Sequence, residues 1–373
     1  MLARFKVSNF KSFGKNFEID FTKAKKYDFN KECINNELIN NAIIYGKNGV
    51  GKSNLGFAIF DIIGHLTDKN KNESNYDNYL NANSSNSYVE FNYEFIFDSN
   101  IVTYEYKKSD YETIEYEKFS INKKILALID RTETREKTIL AFKGTENLKT
   151  EITNKKLSIL NYVRYNSELE EAEENDILYI FFDFIERMLF FRSLGMNEYI
   201  GLEVGSTSLE EDIISKNLVS DFERFLNKVG IECKLKAIRL VGKRQLFFDF
   251  GKKQIHFSDI ASQGTKSLTL FYFWLQKIRE VNKVSFVFID EFDAFYHHEL
   301  SELVVEELKK TGVQFVLTTH NTSVMSNDLL RPDCYFIMNK ERIASLPYLT
   351  DKELREGHNL EKIYKANGFT IRK

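Results

Sequence analysis

Proline is nearly missing from this sequence, with two in 373 residues, and tryptophan occurs once. Little therefore interrupts its helices and strands. Cysteine is almost as scarce. Cys33, Cys233 and Cys334 stand far apart without metal-ligand spacing, so they read as ordinary thiols of a reducing, cytoplasmic protein. No apolar run reaches the length of a membrane span, and the N-terminal MLARFKVSNF lacks the shape of a signal peptide, so no membrane partner is expected. A strong excess of one charge is also lacking. The formal net charge is −3, which does not indicate nonspecific DNA binding by a lone subunit, although a local basic patch leaves room for DNA. No internal repeat is visible. What is abundant is phenylalanine, 33 residues, within 43% hydrophobic and 29% charged content, the balance of a globular chain with length for two or three compact units.

The most informative stretch is Ala42–Asn54, AIIYGKNGVGKSN. Gly46, Gly51, Lys52 and Ser53 satisfy the phosphate-loop pattern G-x-x-x-x-G-K-[ST]. Phosphate oxygens must approach bare backbone N–H groups, so side chains in such a loop would obstruct them and glycine removes the obstruction. A helix starting near Lys52 would aim its unpaired N–H groups and positive dipole end at the same anion. Lys52 adds a charge for the outer phosphates, and the Ser53 hydroxyl can ligate magnesium. The flanks fit. Ile43 and Ile44 precede as a buried strand, and Leu55, Phe57, Ala58, Ile59 and Ile62 follow as an apolar helix.

Alternation of apolar residues from Leu2 to Phe21 predicts two paired strands turning at Gly14-Lys15-Asn16. Asp68–Ser87 is polar and reads as an exposed loop. Tyr88–Phe97, Val102–Lys107, Glu112–Ile121 and Lys137–Phe142 are aromatic and β-branched, and predict an antiparallel meander. Acidic SELEEAEEND then opens a helix running on through Ile177, Phe181, Phe184, Met188 and Leu189, with Phe182, Phe190 and Phe191 widening its apolar face. A second helix is expected from about Ser208 to Val229, capped by Ser206, Thr207 or Ser208 and ended by Gly230. Strands return at Leu235–Val241, Leu246–Phe250 and Gln254–Phe257. After them come an apolar helix (Leu268–Val281), a strand (Ser285–Ile289), a helix (Glu299–Lys310), a strand (Gln314–Leu317) and a last strand near Tyr335–Met338. Such alternation implies a mainly parallel sheet with helices on its faces.

Three further places carry chemistry. The strand FVFI ends in Asp290-Glu291, where Asp290 can hold magnesium and Glu291 can orient or deprotonate an attacking water. His320, after Val316-Leu317-Thr318-Thr319, can donate to a γ-phosphate, although a lone histidine there is more often a surface turn residue. Ser262-Gln263-Gly264-Thr265-Lys266 feeds a helix N-terminus, either as an anion site or as a plain cap.

In this order the elements resemble the ATP-binding heads of the ABC class. They look closest to the SMC, RecF and OLD branch and its small prokaryotic relatives, some labelled AAA-family ATPases. Asn9-Phe10-Lys11-Ser12-Phe13 resembles the branch's N-terminal strand motif. Gly46–Asn54, including Asn48, Gly49 and Asn54, resembles its Walker A. Ser262–Lys266 resembles its signature, Asp290–Glu291 its Walker B and His320 its switch histidine. Leu330-Arg331-Pro332-Asp333 and Asn359-Leu360-Glu361-Lys362 resemble tail blocks of the small relatives. The likeness covers both ends of the chain, while the middle from about Asp68 to Lys234 matches only in layout.

The resemblance implies an α/β fold: a P-loop ATPase head of ABC type with a mixed, mainly parallel core sheet, an antiparallel meander and a small helical insert. The implied units are an N-terminal lobe (1–163), the insert (164–232) and a C-terminal lobe (233–373). It also implies ATP and Mg2+ as cofactors and a head-to-tail homodimer or larger homo-oligomer. ATP at Lys52 of one copy would be capped by Ser262, Gly264 and Thr265 of the other, with Lys11 approaching the phosphates. Two departures stand out. ABC heads carry a glutamine after the first helix, yet this chain has none before Gln245, so Glu90 or Glu94 is considered in its place. His297 stands where SMC relatives have aspartate.

The leading expectation is an ATP-driven dimeric switch controlling a partner effector, a nuclease or toxin encoded nearby, in anti-phage defence. The alternative is a RecF-like DNA-repair clamp. A membrane-transporter motor ranks below both, and a GTPase is disfavoured because Asn339-Lys340-Glu341 is followed by Arg342 rather than completing N-K-x-D.

Overall fold

The computed structural model describes residues 1–69, 73–133, 137–192, 199–202, 208–240, 242–294 and 298–370. His297, Ser206 and Thr207, singled out above, lie outside the described residues.

Two seven-stranded sheets enclose one helix. The first sheet runs Tyr199–Gly201, Met188–Arg192, Phe286–Asp290, Gln314–Thr319, Asn41–Tyr45, Tyr335–Met338, Ile343–Ser345 in spatial order. Its five inner strands are parallel and its two edges antiparallel, so it is the mixed, mainly parallel sheet the β/α alternation predicts. Inner strands buried on both faces read as continuous apolar runs, as in Phe286–Ile289. The second sheet is antiparallel throughout, in the order Lys137–Leu140, Lys124–Asp130, Ile114–Ile121, Asn100–Lys108, Val89–Phe97, Leu2–Ser8, Phe17–Asp20. Gln314 bonds the two sheets at one corner, accepting from the Leu2 amide at 2.9 Å and donating to the Leu2 carbonyl at 2.8 Å.

Between the sheets lies the helix Lys52–Leu66, twelve of whose fifteen residues are buried. That explains why its sequence is apolar nearly all round rather than striped. Gly56 meets Phe190 and Phe288 of the parallel sheet so closely that an added Cβ would lie 2.6 Å from the Phe190 ring. On the opposite side Tyr93 donates to the Ala58 carbonyl at 2.9 Å. Asp61 is fully buried mid-helix and is satisfied by Lys108 Nζ (2.7 Å), Tyr106 OH (2.9 Å) and Tyr79 OH (2.7 Å). A buried carboxylate needs such a set to avoid its desolvation cost.

Three expectations differ from what folds. The meander has a further strand, Lys124–Asp130, paired with Ile114–Ile121. Its ILALI core lacks period-two alternation, and its hairpin turns on Asn122 and Lys123, both left-handed (φ 50° and 69°), instead of on a glycine. The helix expected through Leu189 ends at Glu186, and Met188–Arg192 is a strand pairing with Phe286–Asp290. Phe190 and Phe191 are therefore core residues of the sheet, not the face of a helix. The helix expected over 208–229 is two, Leu209–Ser215 and Val219–Lys228, the first opened by a Ser208–Glu211 capping box.

Helix Glu173–Glu186 packs into the main core. The second apolar cluster instead joins the helices over 209–228 to a three-stranded sheet (Leu235–Leu240, Lys243–Asp249, Gln254–His256), to Phe257, and to Leu268 and Tyr272 of the helix Gln263–Arg279. Cys33 and Cys334, remote in sequence, are both buried free thiols. Among the described residues no helix is long and apolar enough to cross a membrane.

Candidate active site

The parallel strands bring the site together at their C-terminal ends, where the chain must turn and backbone groups are exposed. Asn41–Tyr45 delivers the loop Gly46–Gly51, and the helix starts at Lys52. Gly51 is left-handed (φ 105°) and supplies no side-chain cap to the helix, so the first-turn N–H groups keep no side-chain partner. A side chain at Gly51 would also strike Ser12, whose Oγ lies 2.6 Å from the ideal Cβ position. Ser12 Oγ accepts from Asn54 Nδ2 at 2.9 Å, so the Asn9–Phe13 turn buttresses the loop through its serine. Lys11 is left-handed (φ 46°), and its Nζ donates to the Asp77 carbonyl at 2.6 Å.

Lys52 is buried and donates to the Gly46 carbonyl at 2.9 Å, folding its ammonium back over the loop. Burial pushes its pKa down, and the charges of Glu291, Asp290 and Asp293 pull it back up, which places all three carboxyl groups in electrostatic reach of the lysine. A cavity of about 260 Å³ is lined by Asn48, Gly49, Gly51, Lys52, Ser53, Asn54 and Glu291. Loop and Glu291, far apart in sequence, thus share one space.

The acidic pair is shaped by the next strand. Asp290, fully buried, accepts from Thr318 Oγ1 at 2.7 Å, and the Glu291 amide donates to the same oxygen at 2.8 Å. Glu291 is left-handed (φ 49°), a conformation that costs a residue with a Cβ about 1–2 kcal/mol and turns it out of the strand. Thr319 Oγ1 donates to both oxygens of Asp293, at 2.7 and 2.8 Å. Burial raises the Asp293 pKa. His320 follows at the exposed strand end, near enough to Asp293 to stabilise its charge, but it does not line the cavity.

The signature residues stand elsewhere. Ser262 caps the helix Gln263–Arg279, accepting the Thr265 amide at 3.1 Å, so the cap reading of this turn holds in the folded chain. Ser262 and Thr265 line a separate cavity with Ile231, Phe248 and Phe250. Glu90 pairs with Lys107 at 2.8 Å and Glu94 with Arg4 at 3.5 Å, both on the antiparallel sheet, and neither lines the phosphate-loop cavity. The side chain that does abut the acidic pair is Arg192. It is in register with Asp290 on the neighbouring strand, with Nε 3.2 Å from Oδ2.

Sequence reasoning passed over Ser12, Arg192, Thr318 and Asp293. Ser12 and Thr318 lay inside stretches already marked, and their hydroxyls at a turn and a strand end were the available signal. Arg192 carried none, because its strand partner is remote in sequence.

These residues suit a nucleotide's phosphates with a divalent metal. An uncapped helix start faces a glycine-lined cavity, with a lysine inside it. Ser53 lines that cavity, and the buried Asp290 precedes the cavity-lining Glu291 and acts on Lys52 electrostatically; both are oxygen donors of the kind magnesium takes. Residues 42–326, more than half of the chain, match the family described as "AAA domain, putative AbiEii toxin, Type IV TA system". The chain belongs to this AAA-domain family. No curated protein matches it. This AAA-domain chain is also similar to solved structures. The SMC head domain from Thermotoga maritima shares 17% identity at TM-score 0.42, covering 92% of this chain and 98% of that one. An Smc head with an extended coiled coil, bound to the C-terminal domain of ScpA from Pyrococcus furiosus, shares 14% at 0.47, covering 98% of each. The recombination mediator RecF with ATP shares 12% at 0.40, covering 93% of this chain and 99% of that one.

Proposed function

We propose that this chain binds ATP with Mg2+ and hydrolyses it, and that two copies close on ATP to switch a partner effector, a nuclease or toxin, in anti-phage defence. The observation that carries the reading is Glu291 lining the same cavity as the phosphate loop. Backbone amides of Gly49–Ser53 and the Lys52 ammonium would hold the phosphates. Ser53 and Asp290 would hold the magnesium, which supplies charge neutralisation on the phosphoryl oxygens. Glu291, turned out of its strand, would orient the attacking water, and His320 would report on the outermost phosphate. Within one chain Ser262 and Thr265 line a different cavity from Lys52, which supports a site completed by a second copy. Family membership supports nucleotide use, and the family description names a Type IV TA system.

The test is size and composition of the native complex from cells, with and without ATP, in the Glu291→Gln chain. The expected result is an ATP-dependent dimer that retains a partner protein. A particle whose size and composition ignore ATP would overturn the switch.

The second reading, an ATP-dependent DNA clamp, is favoured by one observation. The three-stranded sheet sets Arg239 directly opposite Arg244 in register on one face, with Lys236 and Lys243 on the other. Like charges so placed repel and suit a polyanion. Duplex binding that weakens steeply with salt and needs ATP would establish the clamp. A flat response at low salt would dismiss it.

A further inference from the structure

Asp290 is the group assigned above to magnesium, and in the folded chain it already has a cation. Its side chain is wholly buried, and a carboxylate there is costly without a counter-charge. Arg192 supplies one from the adjacent parallel strand, where strand register sets the two residues side by side. Nε stands 3.2 Å from Oδ2, while Oδ1 accepts from Thr318. The arginine is only partly buried, with 29% of its side chain exposed.

We infer that Arg192 is a positioning residue that holds the metal-binding carboxylate in place of magnesium, and that metal must displace it from Asp290 when nucleotide binds. The inference rests on the ATP reading above. The hydroxyl on Oδ1 is neutral and is compatible with a dication nearby. A guanidinium 3.2 Å from Oδ2 is not, because a dication taking that same oxygen would stand beside it, and like charges so placed repel. Arg192 therefore keeps Asp290 aimed and neutralised when no metal is present, and sets a threshold for metal.

The test compares native protein with Arg192→Met, which keeps length and removes charge, in two measurements. The first is binding of a fluorescent ATP analogue over a Mg2+ titration. The half-saturating Mg2+ should fall roughly 10-fold in Arg192→Met, the scale of one lost close ion pair, with metal-free nucleotide affinity little changed. An unchanged or higher half-saturating Mg2+ would overturn the inference. The second is thermal unfolding in chelator without nucleotide for Arg192→Met, Asp290→Asn and the double variant. Coupling is expected, with the double variant melting above the sum of the two single losses. Strict additivity would overturn the ion pair's role. If Arg192→Met does not fold, Arg192→Lys keeps the charge but takes it off the Nε position, and its half-saturating Mg2+ should fall between native and an uncharged residue; a native-like value would count against the Nε placement. A native chain that binds no nucleotide at any Mg2+ concentration would sink the ATP reading and this inference together. Native binding with a metal threshold indifferent to position 192 would sink this inference alone.

Discussion

Thr318 Oγ1 donates to Asp290 Oδ1 at 2.7 Å, and in turn accepts the amide of Glu291 at 2.8 Å. One hydroxyl therefore sets both the direction of the Asp290 carboxylate and the left-handed turn that swings Glu291 toward the phosphate loop. Thr318→Val keeps the shape and removes both bonds. Turnover should drop roughly 10- to 100-fold with nucleotide affinity nearly intact, while Thr318→Ser should retain most activity. Steady-state hydrolysis beside equilibrium nucleotide binding checks this, and equal activity of the valine and serine variants would contradict it.

Lys52→Ala should abolish nucleotide binding, since the ammonium inside the cavity is lost. Glu291→Gln should bind as tightly as native and fail to hydrolyse. Calorimetric titration and phosphate release separate the two. Normal hydrolysis by Glu291→Gln would remove this carboxylate from the water-directing role.

Gly51→Ala tests the backbone. The residue sits at φ 105°, and an added Cβ would lie 2.6 Å from Ser12 Oγ. The unfavourable φ alone costs about 1–2 kcal/mol. A lowered unfolding midpoint and weakened nucleotide binding are expected together, because the loop and the Asn9–Phe13 turn would have to part.

Asp61→Ala should destabilise the fold by about 3–5 kcal/mol, the usual loss when one member of a buried ion pair is removed. It strands Lys108, which is itself fully buried, and leaves two tyrosine hydroxyls without their acceptor. Urea unfolding measures the loss. Asp61→Asn, which keeps an acceptor, should fall between native and alanine.

Glu307 predicts a pH dependence. Desolvation pushes its pKa up, but hydrogen bonds and charge from Lys310 and Lys228 outweigh this and bring it down to about 2. Arg279 also donates to it at 2.6 Å, so the carboxylate ties the helix His298–Lys309 to the ends of the helices Val219–Lys228 and Gln263–Arg279. Its folded value lies below the ordinary 4.5. Its stabilisation is therefore fully present above about pH 4.5 and is lost as pH falls toward 2. Glu307→Gln should melt below native at neutral pH, and the gap should close in acid. A gap constant from pH 7 to the acid limit would refute the assignment.

Local sequence was enough for some features and silent on others, and the division is physical. Gly46, Gly51, Lys52 and Ser53 announce themselves because a loop that wraps an anion needs those residues at those intervals in one continuous piece of chain. The apolar run before Asp290 likewise declares a buried strand with carboxylates at its end. Lys124–Asp130 was hidden because a strand covered on both faces loses its alternation, and Asn122-Lys123 turns without glycine. Met188–Arg192 was read as helix because LFF is apolar in either conformation, and only its pairing with Phe286–Asp290 decides for strand.

The one-dimensional chain determined the chemistry of the phosphate loop, the acidic pair and the alternation that requires a mainly parallel sheet, because each depends on neighbours a few residues away. Tertiary structure alone decided that Thr318 holds the Asp290 carboxylate and the Glu291 amide, that Ser12 backs Gly51, and that Arg192 stands against Asp290. Those contacts are made across strands and turns remote in sequence, where register and packing choose the partner and no periodicity in the sequence records it.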